Sequence, residues 1–136
     1  PILSMPKEVY LHTRKNCKKN AKIGILCTEA TLKTGIYNKY FSKSFKLISP
    51  KKSLQKNSVN KAIKYVKMGK VREAEKAIRP AVENLIRLKC KKIILGCTEL
   101  PIAIFAYKSF KKIKESKIFI DPNLLLANIS MKKYRK

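Results

Sequence analysis

The sequence predicts an α/β fold, a three-layer sandwich built on a mostly parallel sheet of about four strands. Three observations predict it. Short β-branched runs recur along the chain, amphipathic helical stretches of ten residues or more separate them, and blocks of Leu, Ile, Val and Ala alternate with lysine-rich stretches. Strands joined by helices of that length form βαβ units, whose parallel sheet is covered on both faces. With 136 residues, 45% of them hydrophobic, the chain suffices for one core that buries roughly two-thirds of the surface exposed when unfolded.

Each element has its own signal. Residues 6–16 can form a short helix. Residues 21–27 form the first strand, closed by Thr28-Glu29-Ala30-Thr31. From Thr31, a candidate N-cap, Leu32, Ile36, Tyr37, Tyr40 and Phe41 recur at helical spacing, which predicts one continuous helix. Residues 45–48 are a second strand, stopped by Ser49-Pro50. Leu54, Val59, Ala62, Ile63 and Val66 mark a helix ending near Gly69. Residues 71–88 continue as a helix with Ala74, Ala77, Ile78, Val82, Leu85 and Ile86 inward, which Pro80 should bend or divide. The third strand is 92–95, leading into Gly96-Cys97-Thr98-Glu99-Leu100-Pro101 and a helix through Phe105. A fourth strand at 118–120 and a helix after Asp121-Pro122 complete a Rossmann-like pattern.

Composition narrows the functional classes. The longest apolar stretch within a segment, 102–107, is far short of the ~20 residues that span a bilayer. No secretory signal precedes the first strand, and the start at Pro1-Ile2-Leu3 reads as the continuation of something longer. The cysteines at 17, 27, 90 and 97 form no C-x-x-C pair and have only His12 as an imidazole partner, so no zinc site is expected. A reduced, cytoplasmic setting is expected, with the thiols buried or reactive rather than bridged.

The formal net charge of +25 is the usual footprint of a polyanion binder. Here lysine greatly outnumbers arginine and is spread over the whole chain alongside abundant Ile and Asn, as A+T-rich codons produce. Arginine is the residue that bidentate phosphate and base recognition favours. A solvated lysine coat is the expectation, and a nucleic-acid partner is not.

Ligands of such sheets bind outside the carboxyl ends of the strands. Three turns leave those ends: Cys27-Thr28-Glu29, Gly96-Cys97-Thr98-Glu99 and Asp121-Pro122. Gly96 permits a sharp turn and close backbone approach. Cys97 and Thr98 then stand at a helix N-terminus, where free N–H groups stabilise a thiolate and receive a carboxylate. Cys97 suits proton transfer better than nucleophilic attack, since His12 lies in a lysine-rich segment with no signature around it. From spacing alone, a small core residue closing the strand remains the alternative for Cys97.

The segment Ile94-Leu95-Gly96-Cys97-Thr98-Glu99-Leu100-Pro101 resembles the G-C-T-E-L segment around the second catalytic cysteine of aspartate and glutamate racemases. The likeness covers nearly the whole chain. Lys22-Ile23-Gly24-Ile25-Leu26, Thr28-x-x-Thr31 and Gly35-x-Tyr37 are similar to that family's strand, T-x-G-T turn and following helix. Pro50 with Gln55 resembles its P-x-x-x-x-Q region, Lys67-Met68-Gly69 its K-x-G element, and Asp121-Pro122 with Ala127 its closing segment. Ala30 departs from the glycine of the turn, Lys51 from the acidic residue after the proline, and Asn123 from the threonine after Asp-Pro. No C-N-T-A-H-like segment is present, and residues 1–9 look like the part that follows it.

The resemblance implies a racemase of aspartate or glutamate in which two cysteines face opposite sides of the substrate Cα. One removes a proton and the other returns one, without pyridoxal phosphate, metal or other cofactor. Cys97 is the implied acid/base. Thr98, Lys67, Glu99 and Thr28 are the implied substrate contacts, with Lys67 on an acidic group. Cys27 shares the sheet rim but lies on the same side as Cys97 and is expected to be packed, while Cys17 and Cys90 have no site role. Residues 1–18 are then a remnant of a preceding half whose first dozen residues should pack poorly. Residues 19–116 form the racemase-like domain, and 117–136 the closing strand and helix. An acidic amino acid is the expected substrate, and a complementary racemase half or a homo-oligomer the expected protein partner. A non-catalytic fragment or subunit and a basic polyanion binder are the alternative functions.

Overall fold

The computed structural model describes residues 4–107, 110–115 and 117–134. Four parallel strands, β1 (Lys22–Leu26), β2 (Lys46–Ile48), β3 (Lys92–Leu95) and β4 (Phe119–Ile120), form one sheet in the order β2-β1-β3-β4. The predicted α/β architecture is the observed one. Alternation along the central strands divides the core into two layers. Ile23, Ile25, Cys27 and Ile94 face one side with Val9, Tyr37, Phe41 and Phe45. Leu26, Ile93 and Leu95 face the other, with Val59, Ile78, Leu85 and Ile104.

The helices are α1 (Met5–Asn16), α2 (Glu29–Thr34), α3 (Asn38–Phe41), α4 (Lys52–Leu54), α5 (Lys61–Lys67), α6 (Val71–Arg87), α7 (Glu99–Phe105), α8 (Lys111–Glu115) and α9 (Pro122–Tyr134). A π-helical turn, Gln55–Asn60, joins α4 to α5. The β1-to-β2 crossover places Tyr37 and Phe41 on one face of the sheet, whereas the later crossovers place α5, α6 and α7 on the other. The chain thus changes sides between β1 and β3. That is the switch point at which open α/β sheets leave a crevice for ligands.

Three expectations are corrected. The stretch after β1 is two helices rather than one, because Gly35 takes the left-handed conformation (φ 64°) and ends α2. Its N-cap is Thr28, whose Oγ1 accepts from Thr31 N–H at 3.2 Å, so Thr31 lies inside the helix. Of the two effects expected of Pro80, bending or division, division does not occur: α6 runs unbroken from Val71 to Arg87. The rung beside Pro80 is bridged from outside: the Ser58 hydroxyl donates to the Ala77 carbonyl at 2.5 Å and accepts from Ala81 N–H at 3.1 Å. A side chain inserted there supplies hydrogen bonding where the proline has loosened the ladder.

The third correction concerns the N-terminus. Pro6, Val9 and Thr13 form a buried stripe at helical spacing, and Val9 is fully buried. Tyr10 packs edge-on against Phe41 with ring centres 5.5 Å apart, and its hydroxyl lies 2.8 Å from Ser44 Oγ. The first dozen residues were expected to find their partners elsewhere. Those of residues 5–13 lie in this domain, on α9 and on α3 with the residues that lead into β2, where Phe41 and Phe45 need covering. Residues 1–3 lie outside the described residues.

Candidate active site

The Cys97 turn is held against β1 by backbone. Gly96 N–H donates to the Leu26 carbonyl at 2.7 Å, and a Cβ built on Gly96 would stand 2.8 Å from Cys27 Cβ. Only a residue without a side chain lets the two turns touch this closely. Cys27, Gly96-Cys97 and Asp121 follow β1, β3 and β4 at the carboxyl edge of one parallel sheet, as expected.

Cys97 is partly exposed, whereas Cys27 is fully buried. Burial pushes the Cys97 thiol above its ordinary value. The Leu100 and Glu99 backbone amides at the start of α7 and the Lys67 ammonium pull the other way, while the Glu99 carboxylate adds to the rise. The helix-end donors that should favour a thiolate are therefore in place, but desolvation outweighs them. Burial, with a smaller repulsion from Cys97, pushes Cys27 up to about 12, which keeps that thiol protonated and suits a packing role.

Lys67, Thr98 and Glu99 meet beside Cys97. Thr98 Oγ1 donates to Glu99 Oε2 at 2.6 Å, and Lys67 Nζ lies 3.5 Å from Glu99 Oε1. The Thr98 hydroxyl, seconded by Lys67, holds the Glu99 carboxyl below its usual range. Three of the four expected substrate contacts thus form one cluster. Thr28, the fourth, lies on the abutting β1 turn, where its hydroxyl caps α2 and lies 3.0 Å from Thr31 Oγ1.

One part of the rim had no expected role. Gln55, buried in the π turn, donates from Nε2 to the Cys27 carbonyl at 2.8 Å and to Asn60 Oδ1 at 2.9 Å. Asn60 Nδ2 in turn donates to Glu29 Oε1 at 3.2 Å. This relay ties the β1 turn to the helix that ends in Lys67. Its signal was Gln55 five residues after Pro50, but the π turn that aims both amides has no sequence mark of its own. Beside it, Glu29, Leu32, Pro50 and Gln55 line a cavity of about 550 Å³.

Asp121 is spent on structure: its Oδ1 accepts from Asn123 N–H at 3.0 Å, and Pro122 opens α9. His12 lies away from the Cys97 turn, in a cavity of about 270 Å³ with Lys92, Asp121 and Asn128. Among the described residues, no three His, Cys, Asp or Glu side chains are gathered to hold a metal ion. No described helix is long and apolar enough to cross a membrane.

The family model for Asp/Glu/hydantoin racemases matches residues 1–129. A glutamate racemase of Carboxydothermus hydrogenoformans is 32% identical over 123 residues, covering 90% of this chain and 43% of that protein. An aspartate racemase of Picrophilus torridus superposes with a TM-score of 0.72 at 28% identity, over 95% of this chain and 52% of that one. An aspartate racemase homologue from Pyrococcus horikoshii has the same fold, with a TM-score of 0.70 at 20% identity over 96% of this chain and 57% of its own. The chain spans about half the length of the relatives it matches.

Proposed function

The chain belongs to the Asp/Glu/hydantoin racemase family, and from that premise we propose that its Cys97 turn carries out cofactor-independent proton transfer at the Cα of aspartate or glutamate. The observation that carries the reading is the place of Cys97, partly exposed at the β1/β3 switch point with the Glu99 and Leu100 amides on its sulfur and Lys67 nearby. The Cys97 thiolate takes the Cα proton and becomes the thiol. The electron pair left on Cα delocalises into the α-carboxylate, whose growing charge the Thr98 hydroxyl receives. Lys67 receives the side-chain carboxylate, and Thr28 borders the cradle from the β1 turn.

One base returning its own proton restores the starting enantiomer, so inversion needs a second donor on the opposite face. The fully buried Cys27 is poorly suited to that task. A complementary racemase half supplying another cysteine, or a second copy of this chain, is the partner the chemistry calls for.

The test is hydrogen exchange. Incubated with L-aspartate or L-glutamate in deuterated water, the chain should replace the α-hydrogen with deuterium faster than it inverts the centre, and Cys97→Ser should abolish exchange while leaving the protein folded. Inversion as fast as exchange by this chain alone would remove the half-site reading and bring Cys27 forward. Exchange that survives Cys97→Ser would take Cys97 out of the chemistry. A non-catalytic member of the family is the second reading, favoured by the raised Cys97 thiol, and the absence of any exchange would establish it.

A further inference from the structure

The two side chains assigned above to the substrate's carboxylates already hold one. Glu99 places Oε2 on the Thr98 hydroxyl, at 2.6 Å, and Oε1 3.5 Å from the Lys67 ammonium. The arrangement is built into the fold. Thr98 is the N-cap residue of α7, Glu99 its first residue and Lys67 the last of α5, so packing of α5 on α7 brings the three together. The Glu99 side chain is 19% exposed and that of Lys67 65%. A bond from a hydroxyl to a carboxylate is among the stronger neutral-donor contacts, whereas an ion pair this open to water is weak and readily exchanged.

We propose that Glu99 is an internal competitor that sets the selectivity of the site: its carboxylate stands where an acidic substrate's would, and it swings aside when a dicarboxylic amino acid binds. This rests on Thr98 and Lys67 forming the cradle. A ligand with two carboxylates replaces both Glu99 contacts. A ligand with one leaves either the hydroxyl or the ammonium without the partner it had, and binds less well by that difference. The same competition lowers apparent affinity for every acidic ligand by the fraction of molecules in which Glu99 occupies the cradle.

The experiment is a binding titration of the wild-type chain and of Glu99→Gln with L-aspartate, L-glutamate and L-alanine, alongside carbon-13 resonances of the Glu99 carboxyl group. Glu99→Gln keeps the shape and removes the charge. Aspartate and glutamate should bind it more tightly by about two- to fivefold, the range set by an exposed ion pair, and their preference over alanine should narrow. In the wild type, saturation with aspartate should move the Glu99 resonance and raise its titration midpoint towards that of a free carboxylate.

Unchanged or weaker aspartate binding by Glu99→Gln, a Glu99 resonance indifferent to aspartate, or no binding by either protein would each overturn the proposal. Tighter binding by Glu99→Gln without Cys97-dependent exchange would leave the competitor standing and remove the proton-transfer reading. Cys97-dependent exchange with aspartate affinity untouched by Glu99→Gln would do the reverse.

Discussion

A methyl group added at Gly96 would stand 2.8 Å from Cys27 Cβ and 3.2 Å from the Leu26 carbonyl oxygen. Carbon atoms settle at about 3.5–4.0 Å, so the first contact overlaps by at least about 0.7 Å. The atom it meets is fixed to the main chain of a fully buried residue. Relief therefore means separating the two turns and stretching the 2.7 Å bond from Gly96 N–H to Leu26. Overpacking of this kind costs ~1–3 kcal/mol. At roughly 3–5 °C per kcal/mol for a domain of this size, the melting temperature of Gly96→Ala should fall by roughly 3–15 °C. Gly24→Ala is the control: its new Cβ also meets a neighbour at 2.8 Å, but that neighbour is Leu85 Cδ1, the tip of a flexible side chain, so the loss should be smaller. Thermal unfolding of Gly96→Ala, Cys27→Gly and the double variant completes the assay. Removing Cys27 Cβ removes the principal clash, so the double variant should lose less than the two single changes together. A Gly96→Ala protein as stable as the wild type, or strict additivity with Cys27→Gly, would refute the account of how the turns abut.

Because burial holds the Cys97 thiol above its ordinary value and the base is its thiolate, α-hydrogen exchange should rise with pH through neutrality and still be rising above the ~8.5 of a free thiol; a rate profile flat from pH 7 upward would contradict this. Cys27, pushed up to about 12, stays protonated in the folded chain while the unfolded thiol ionises above ~8.5, so its contribution to stability is intact below that pH and lost as pH rises beyond it; urea midpoints should fall with alkaline pH less steeply in Cys27→Ala. Gln55→Leu removes the donor on the Cys27 carbonyl and should cost ~1–3 kcal/mol by urea unfolding, less whatever is regained because the buried Gln55 Oε1 lacks a partner. Val9→Ala deletes two fully buried methyl groups and should cost roughly 1.5–3 kcal/mol; a change under ~0.5 kcal/mol would mean that α1 is not part of the core.

The strands were legible because the central two, β1 and β3, are short runs of Ile and Leu buried on both faces, and such runs have few other ways to find that burial. The Cys97 turn was legible for a related reason: a glycine, a thiol and a threonine directly after a buried strand have a small choice of places at the sheet rim. Where reading failed, neighbours decided. Apolar spacing from Leu32 to Phe41 suits one helix, yet Gly35 could close it and Thr28 was free to cap it, and spacing alone does not weigh those choices. Pro80 could bend its helix or divide it on sequence grounds, and the choice against division involves Ser58, distant in sequence, which reaches the Ala77–Ala81 rung. The packing of Val9 and Tyr10 depended on which helix lay opposite. The membership of Lys67, Thr98 and Glu99 in one cluster followed from the family likeness, but their engagement with one another rests on side-chain directions that a motif does not carry.

The π turn at Gln55–Asn60 phases one helical rod to two different partners. Upstream, Gln55 faces the Cys27 carbonyl; downstream, Lys67 faces Glu99. A π turn houses one residue more than an α turn, and each residue of an α-helix stands about 100° further round its axis. The extra residue is held within a single turn, so deleting one residue between 55 and 60 would close that turn as regular α-helix and leave the two ends near their present phase. A second deletion, from a rod now α-helical throughout, would turn one end by about 100° against the other. Either the amide would leave the β1 turn or the ammonium would leave Glu99. The π turn is thus the one residue of slack in a rod that otherwise works like a key cut at both ends: beyond that spare notch, a shorter shaft leaves only one lock that it can fit.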